Sequence, residues 1–128
     1  MMTRRHIIRT LMIGLATAPG ILAALPSARA DSVRSIRIDR LRALLLQPQH
    51  ARAIGTAALR KSPADPASLV HALVARHPPL AGDAPLARRR AMLETIIAED
   101  FATGRTTLVD GWLLSRSETE LFMLEALH

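Results

Sequence analysis

The sequence predicts a mainly α fold, a small bundle of about five helices with room for one short β-hairpin before the last helix. Two observations support this prediction. Hydrophobic residues make up 49% of the 128-residue chain and aromatic residues only 2%, a balance that suits an aliphatic helical core. Apolar residues also recur at helical spacing in segments that proline and glycine separate. We expect an N-terminal signal in residues 1–30 and a single helical domain in residues 31–128.

The first two predicted helices meet at Pro48, because proline interrupts a helix but is tolerated in a first turn. The helix before it carries an apolar stripe of Ile36, Ile38, Leu41, Leu44 and Leu45. The helix after it runs to about Arg60 and carries Ala51, Ile54, Ala57, Ala58 and Leu59. Pro63 and Pro66 end this second helix.

Helices three and four are predicted from their caps and apolar stripes. Asp65 or Ser68 is the expected cap of the third, whose stripe is Leu69, Val70, Leu73 and Val74. Pro85 fits the first turn of the fourth, whose buried face is predicted as Leu86, Met92, Leu93, Ile96, Ile97 and Phe101. Gly104 is well placed just past that helix, where a positive φ is often needed.

The pattern changes after Gly104. Two short apolar runs flank Asp110-Gly111, which favours a small β-hairpin. An extended loop packed on the helices is an equal alternative. Ser115 and Glu118 have the spacing of a capping box, so a last helix is expected from there to Leu127.

Residues 1–30 predict a twin-arginine export signal. Arg4 and Arg5 form the basic pair, and the apolar stretch 11–25 follows. That stretch is rich in Ala, Gly and Thr and only moderately hydrophobic, which favours the twin-arginine route over general secretion. We therefore expect the twin-arginine translocase as a partner and the periplasm as the location.

Ala28 and Ala30 supply the small side chains that a signal peptidase accepts, so cleavage is expected after Ala30. An uncleaved N-terminal anchor is the alternative, since a basic head fits both. However, the apolar stretch 11–25 is shorter than the ~20 residues of a spanning helix, and Pro19 would break a helix near its middle. No stable membrane span is expected after cleavage.

Charge and cysteine content exclude several classes of protein. Residues 1–30 hold four arginines and no acids, so residues 31–128 keep thirteen basic and eleven acidic residues, a net charge of +2. The run Arg88-Arg89-Arg90 has no aromatic neighbours for base stacking and is expected to be a solvated helical turn. No nucleic-acid partner is therefore predicted. The absence of cysteine excludes disulfides, covalently attached haem and Cys-ligated metal centres.

The residues suggest no catalytic, metal or cofactor site. His71 and His77 lie on different faces of one helix, and no H-E-x-x-H pattern occurs. A small hydrolase would use Ser115 or Ser117, but both serines are explained as helix caps, and no G-x-S-x-G is present. We therefore do not expect an enzyme.

The segment from Asp100 to Glu118 is the densest in candidate functional residues. It holds the only tryptophan of the chain, and Trp and Arg often anchor interfaces. The predicted partner-binding residues are Asp100, Arg105, Trp112 and Arg116. The alternative places Trp112 in the core between the last two helices, which suits a chain with so few aromatics.

The same segment resembles a group of short twin-arginine-exported bacterial proteins of undetermined role, in which D-F-x-x-G precedes V-x-G-W-x-L-S-x-[ST]-E. This chain carries the pattern as Asp100-Phe101, Gly104, Val109, Gly111-Trp112, Leu114-Ser115 and Ser117-Glu118. More loosely, the layout is similar to the small subunits of exported flavin-dependent sugar and gluconate dehydrogenases. That resemblance implies a helical, non-catalytic protein that escorts a large subunit lacking its own signal.

These features together predict a periplasmic accessory protein for a larger exported enzyme, with an oxidoreductase as the expected partner. The twin-arginine route carries folded proteins, and a cofactor-free domain of this size has little need of it for itself. A stand-alone periplasmic binding or stress protein is the alternative.

Overall fold

The structure, a computed structural model, describes residues 28–128. Residues Arg34–His128 form one compact unit. Of the predicted export signal, Arg4 and Arg5 lie outside the described residues. The predicted cleavage residues Ala28 and Ala30 are helical and exposed.

Five helices and one hairpin make up the described part of the chain, which confirms the predicted fold class. Helix α1 covers residues 28–42. It is followed by α2 (Pro48–Lys61), α3 (Pro66–Arg76), a 3₁₀ turn (Pro78–Ala81), α4 (Leu86–Ala102), β1 (Thr106–Val109), β2 (Trp112–Ser115) and α5 (Arg116–Ala126). None of the helices described is long and apolar enough to cross a membrane.

The segment before α5 is a true β-hairpin, so the extended-loop alternative is wrong. Strands β1 and β2 are antiparallel, and Val109 pairs with Trp112 next to the turn. The two turn residues, Asp110 and Gly111, have φ angles of 47° and 81°. Positive φ at both positions is what a two-residue type I′ turn requires, and Asp-Gly is among its preferred sequences.

Two of the predicted helix caps, at Asp65 and at Ser115, are confirmed, whereas Ser68 and Ser117 do not act as caps. The Asp65 side chain accepts a hydrogen bond from the Ser68 backbone N–H at the start of α3. Ser115 and Glu118 form a complete capping box at the start of α5. Gly104 has a φ of 75° just past α4, a conformation that costs glycine little.

The core of the unit is aliphatic and draws on every element. Its fully enclosed side chains are those of Leu41, Leu73, Leu80, Leu121 and Leu124. Two predicted stripes differ from the observed burial. In α1, Ile36 is half exposed. Of the buried face predicted for α4, only Leu93 is buried, and Phe101 is exposed. Both helices therefore turn a narrower apolar face to the core than their sequences suggest.

Helices α2 and α5 approach each other closely at a glycine. A Cβ atom placed on Gly55 would lie 1.9 Å from the backbone oxygen of Phe122. Only a residue without a side chain fits there. The pair is also joined at the far end of α5, where the buried Glu125 carboxylate binds Arg42 of α1 and Arg52 of α2.

The arginine run at 88–90 is not the solvated turn that the sequence predicts. Arg89 is buried, and its guanidinium donates hydrogen bonds to the backbone oxygens of Ala84, Arg40 and Leu80. Those carbonyls lie where α1, the 3₁₀ turn and α4 meet. Arg89 thus donates to backbone oxygens that the local backbone leaves unpaired. The guanidinium group suits this position because it carries several N–H donors.

Candidate functional site

Asp100 joins α4 to the N-terminus of α5. Its Oδ2 accepts the backbone N–H of Ser117 at 3.0 Å, and its Oδ1 accepts the Arg105 Nε–H at 3.1 Å. The residue is only 2% exposed. Burial raises the pKa of Asp100, but the Ser117 N–H and the Arg105 guanidinium outweigh burial and hold the pKa below its usual value. A carboxylate at a helix N-terminus is further stabilised by the helix dipole.

This position differs from the prediction that Asp100 contacts a partner. Both carboxylate oxygens are turned inward and already paired, so the side chain fixes the direction of α5 instead. Sequence reasoning picked the residue for its charge, whereas its partner Ser117 lies 17 positions away and is reached only through the hairpin.

Ser115 is likewise internal. It is fully enclosed, and its hydroxyl accepts the backbone N–H of Glu118 while the Glu118 carboxylate accepts the backbone N–H of Ser115. A nucleophile must reach a substrate, and this hydroxyl reaches only its own helix. The described residues also contain no group of three His, Asp or Glu side chains able to hold a metal ion.

The hairpin, by contrast, exposes large apolar side chains. Trp112 is 62% exposed, so the alternative that places it in the core is wrong. Leu108 and Leu113 are opposite each other across the strands and are 56% and 57% exposed. Directly opposed residues lie on one face of a hairpin. Trp112 projects from the other face, beside its cross-strand partner Val109. These three exposed side chains, on the two faces of the hairpin, form what we call the hairpin surface.

Phe101 adds a fourth exposed apolar side chain, on the last turn of α4 next to Asp100. Two of the three aromatic residues in the whole chain, Phe101 and Trp112, are therefore exposed. Soluble domains rarely leave their few aromatic side chains outside, because aromatic burial dominates core and interface energies.

The two predicted arginines lie around the hairpin. Arg105 is exposed apart from its bond to Asp100. Arg116 is 3.7 Å from the Glu120 carboxylate, a separation longer than a hydrogen bond. The structure therefore brings Arg105, Trp112 and Arg116 to the same hairpin and its junctions, while Asp100 supports them from inside.

The concave regions among the described residues include the following three. A recess of about 380 Å³ lies between α2, the hairpin and α5. An apolar groove of about 350 Å³ lies between the α1–α2 connection, α4 and α5, with Leu45, Ile54 and Phe122 in its wall. A third, of about 330 Å³, lies beside His77, whose pKa is lowered by burial and by the neighbouring Arg76.

Sequence reasoning missed Leu108, Leu113 and Lys61. The last donates a hydrogen bond from its Nζ to the Leu108 backbone oxygen at 2.7 Å and so ties the end of α2 to β1. A usable signal existed for the two leucines. Once Asp110-Gly111 is taken as a two-residue turn, counting outward pairs position 108 with 113, and two leucines on a face opposite the buried Val109 and Leu114 had to be exposed.

Comparison of the chain with protein-family models, with curated proteins and with solved structures gives no match.

Proposed function

We propose that this protein is a non-catalytic accessory subunit that docks on a larger exported enzyme through the hairpin surface. The observation that supports the proposal is the exposure of Trp112, Leu108 and Leu113 on a hairpin whose supporting residues Asp100 and Ser115 are buried and hydrogen-bonded. Apolar side chains that the fold leaves in water cost free energy, and an interface that covers them would recover it.

The anatomy of the hairpin surface is that of a small interface centre. Tryptophan is enriched among the residues that dominate binding energy, and Leu108 and Leu113 add exposed apolar area on the other face of the hairpin. The arginines Arg105 and Arg116 stand around the apolar residues, where a polar rim is expected. The rigid capping of α5 holds this surface in one conformation, which lowers the entropic cost of docking.

The export signal predicted from Arg4 and Arg5 gives the proposal its cellular setting. A subunit that folds and docks in the cytoplasm would carry its partner through the twin-arginine translocase to the periplasm. An oxidoreductase is the partner that the sequence resemblance favours, because cofactor enzymes are loaded before export.

Co-purification with matched variants tests the proposal. The full chain, tagged at its C-terminus, is isolated from both compartments of a bacterium that naturally produces it. We expect a complex of fixed stoichiometry with one large enzyme. Trp112→Ser and the pair Leu108→Ser/Leu113→Ser should each lower recovery of that enzyme at least tenfold.

Leu46→Ser is the matched control, because Leu46 is an even more exposed leucine on the α1–α2 connection. It should leave recovery unchanged. A lone monomer in both compartments would contradict the proposal, as would a complex that survives loss of all three hairpin side chains.

A second function, a stand-alone periplasmic binding protein, is favoured by one observation. The apolar groove beside Leu45, Ile54 and Phe122 has about 350 Å³, within the range of small-molecule sites. This function predicts a monomer whose melting temperature rises with an apolar ligand. Thermal scans of the full chain against medium-chain alcohols and carboxylic acids would separate it from the docking function.

A further inference from the structure

The recess beside the hairpin is lined by more positive than negative charge, with Lys61 and Arg116 against one carboxylate, Glu120. Its inner wall includes the buried Ala58 and Val109, and its opening carries Lys61, Ser62 and Arg116. It spans three elements, α2, β1 and α5, so their packing fixes its shape. A recess with an apolar base and cationic walls suits a ligand that carries both an apolar part and an anion.

One carboxylate also lines this recess, but it is already neutralised. Glu120 is bound through two nitrogens of the Arg76 guanidinium, a bidentate pairing that is among the strongest of ion pairs. Arg116 lies 3.7 Å from the same carboxylate and keeps its donors available. Because Arg76 already offsets the charge of Glu120, the charge of Arg116 is left over.

Lys61 supplies the second uncompensated cation. Its Nζ donates to the Leu108 backbone oxygen, and an ammonium group has three donors. Two N–H groups therefore remain for a ligand. Within residues 28–128, no carboxylate pairs with Lys61. The hydroxyls of Ser62 and Thr107 lie in the same wall and add further donors.

Trp112 stands next to this recess. It is the cross-strand partner of Val109, and opposed residues project from the same face of a hairpin. Thr107 and Val109, which line the recess, therefore share their face with the exposed indole. A ligand seated between Lys61 and Arg116 would have Trp112 beside it for apolar contact.

We propose that the recess receives an acidic, extended segment of the partner protein, with a carboxylate between Lys61 and Arg116 and an apolar side chain against Trp112. This inference rests on the docking function proposed above and names the chemistry of the segment that docks. Charge complementarity selects the occupant, since Lys61 and Arg116 leave an excess of positive charge that an anion would offset. The adjoining indole favours a peptide over a free inorganic anion, which has no apolar part.

The test uses the purified full chain and a defined probe, a blocked hexapeptide of alternating Glu and Leu. Trp112 is the only tryptophan and the chain has no tyrosine, so its fluorescence reports on this place alone. We expect a saturable shift of the emission to shorter wavelength as the exposed indole is covered. Affinity should fall steeply between low and high NaCl, since screening weakens exposed charges.

Matched variants and competitors define the outcome. Lys61→Gln/Arg116→Gln should weaken binding at least tenfold, whereas Arg88→Gln, at an exposed arginine of α4, should not. An alternating Lys–Leu hexapeptide should not bind. Equal binding of that peptide, salt-independent binding, or inorganic phosphate binding as tightly as the Glu–Leu peptide would each overturn the inference. The salt and competitor tests use the unmodified chain, so they stand even where the double variant is unstable.

The two proposals fail in different ways. A peptide that does not bind, beside an intact complex from cells that the hairpin variants disrupt, overturns the acidic-segment inference and leaves the docking function standing. A peptide that binds to a protein recovered only as a monomer supports the recess as a site for acidic peptides and overturns docking on a large enzyme.

Discussion

Helix α5 and the hairpin that precedes it invert the usual distribution of polar and apolar groups. Around α5 the buried groups include Asp100, Ser115 and Glu125, and each is paired. On the hairpin the exposed groups are Trp112 and the Leu108–Leu113 pair. The difference teaches that the buried carboxylates and the cap of α5 find their partners within this chain, although the buried Ser117 hydroxyl has none among the described residues, whereas the apolar side chains of the hairpin surface stay uncovered.

The physical reason for the contrast is the cost of an unpaired polar group. A buried carboxylate without partners costs several kcal/mol, so the folded chain has to supply them for Asp100 and Glu125. An exposed leucine costs much less, because water contact is unfavourable only in proportion to area. Selection for a stable fold therefore constrains the buried groups around α5 strongly and the hairpin surface weakly. The exposed apolar side chains of the hairpin surface need a reason other than stability.

The largest expected effect is at the contact between α2 and α5. Gly55→Ala places a methyl group against the Phe122 backbone oxygen, because a Cβ atom at position 55 would lie 1.9 Å from that oxygen. We expect a loss of about 3 kcal/mol in the free energy of unfolding, at the upper end for overpacking, because backbone cannot move aside as a side chain can. Urea unfolding followed by circular dichroism measures it.

Thr56→Ala serves as the control, since Thr56 is exposed on the same helix and alanine is a better helix former. Its unfolding free energy should stay within ~0.5 kcal/mol. A Gly55→Ala protein as stable as the parent would show that α5 can shift, and that the paired surroundings of α5 are less rigid than inferred.

An intermediate effect is expected from acid. In the folded chain the pKa of Glu125 is lowered by its hydrogen bond to Arg42, and that of Asp100 is lowered by Ser117 and Arg105. Both groups therefore bind protons less readily folded than unfolded. Their stabilising contribution is present above the unfolded pKa values of ~4 and is lost as pH falls through the folded ones.

Unfolding free energy measured from pH 6 to pH 2 should therefore drop below about pH 4. Asp100→Asn and Glu125→Gln should each lower the unfolding free energy at pH 6. Each should also reduce the fall of that free energy below about pH 4. The depressed pKa of His77 adds a separate loss that begins below ~6.5 and that His77→Gln removes. An acid-induced fall in the unfolding free energy that both carboxylate variants leave unchanged would show that α5 does not depend on these pairs.

The smallest effect on stability is expected at the hairpin surface. Trp112→Ser should change the unfolding free energy by no more than ~0.5 kcal/mol, because the side chain is 62% exposed and exposed positions contribute little. Chemical unfolding measures this while co-purification measures partner loss. If Trp112→Ser were as destabilising as Gly55→Ala, the hairpin surface and the α2–α5 contact would not differ in their contribution to stability, and Trp112 would have a structural role.

Local sequence signals predicted the features whose partners lie nearby. Ser115 and Glu118 are three residues apart, and Asp110-Gly111 supplies both positive φ angles of the turn. Such features depend on backbone geometry within a few residues, so the sequence is sufficient to read them. The division into helices could be predicted for the same reason, since proline and glycine affect the backbone conformation at their own positions.

Long-range pairing was not readable in the same way. Arg89 looked like a solvated charge but binds the carbonyls of Arg40 and Leu80. Asp100 looked like a partner contact but binds Ser117. Gly55 carried no signal at all, because its role depends on a backbone oxygen 67 positions away. In each case the deciding atom belongs to a remote element.

By itself, then, the sequence determined the mainly α class, the approximate division into helices, the caps at Asp65 and Ser115 and the turn, since each follows from the conformational preferences of neighbouring residues. Only the tertiary structure decided which charges are buried and which apolar side chains stay in water. Burial is a property of how elements pack. Val109 and Trp112 are opposed on one face of the hairpin, yet the packing covers Val109 and leaves Trp112 exposed.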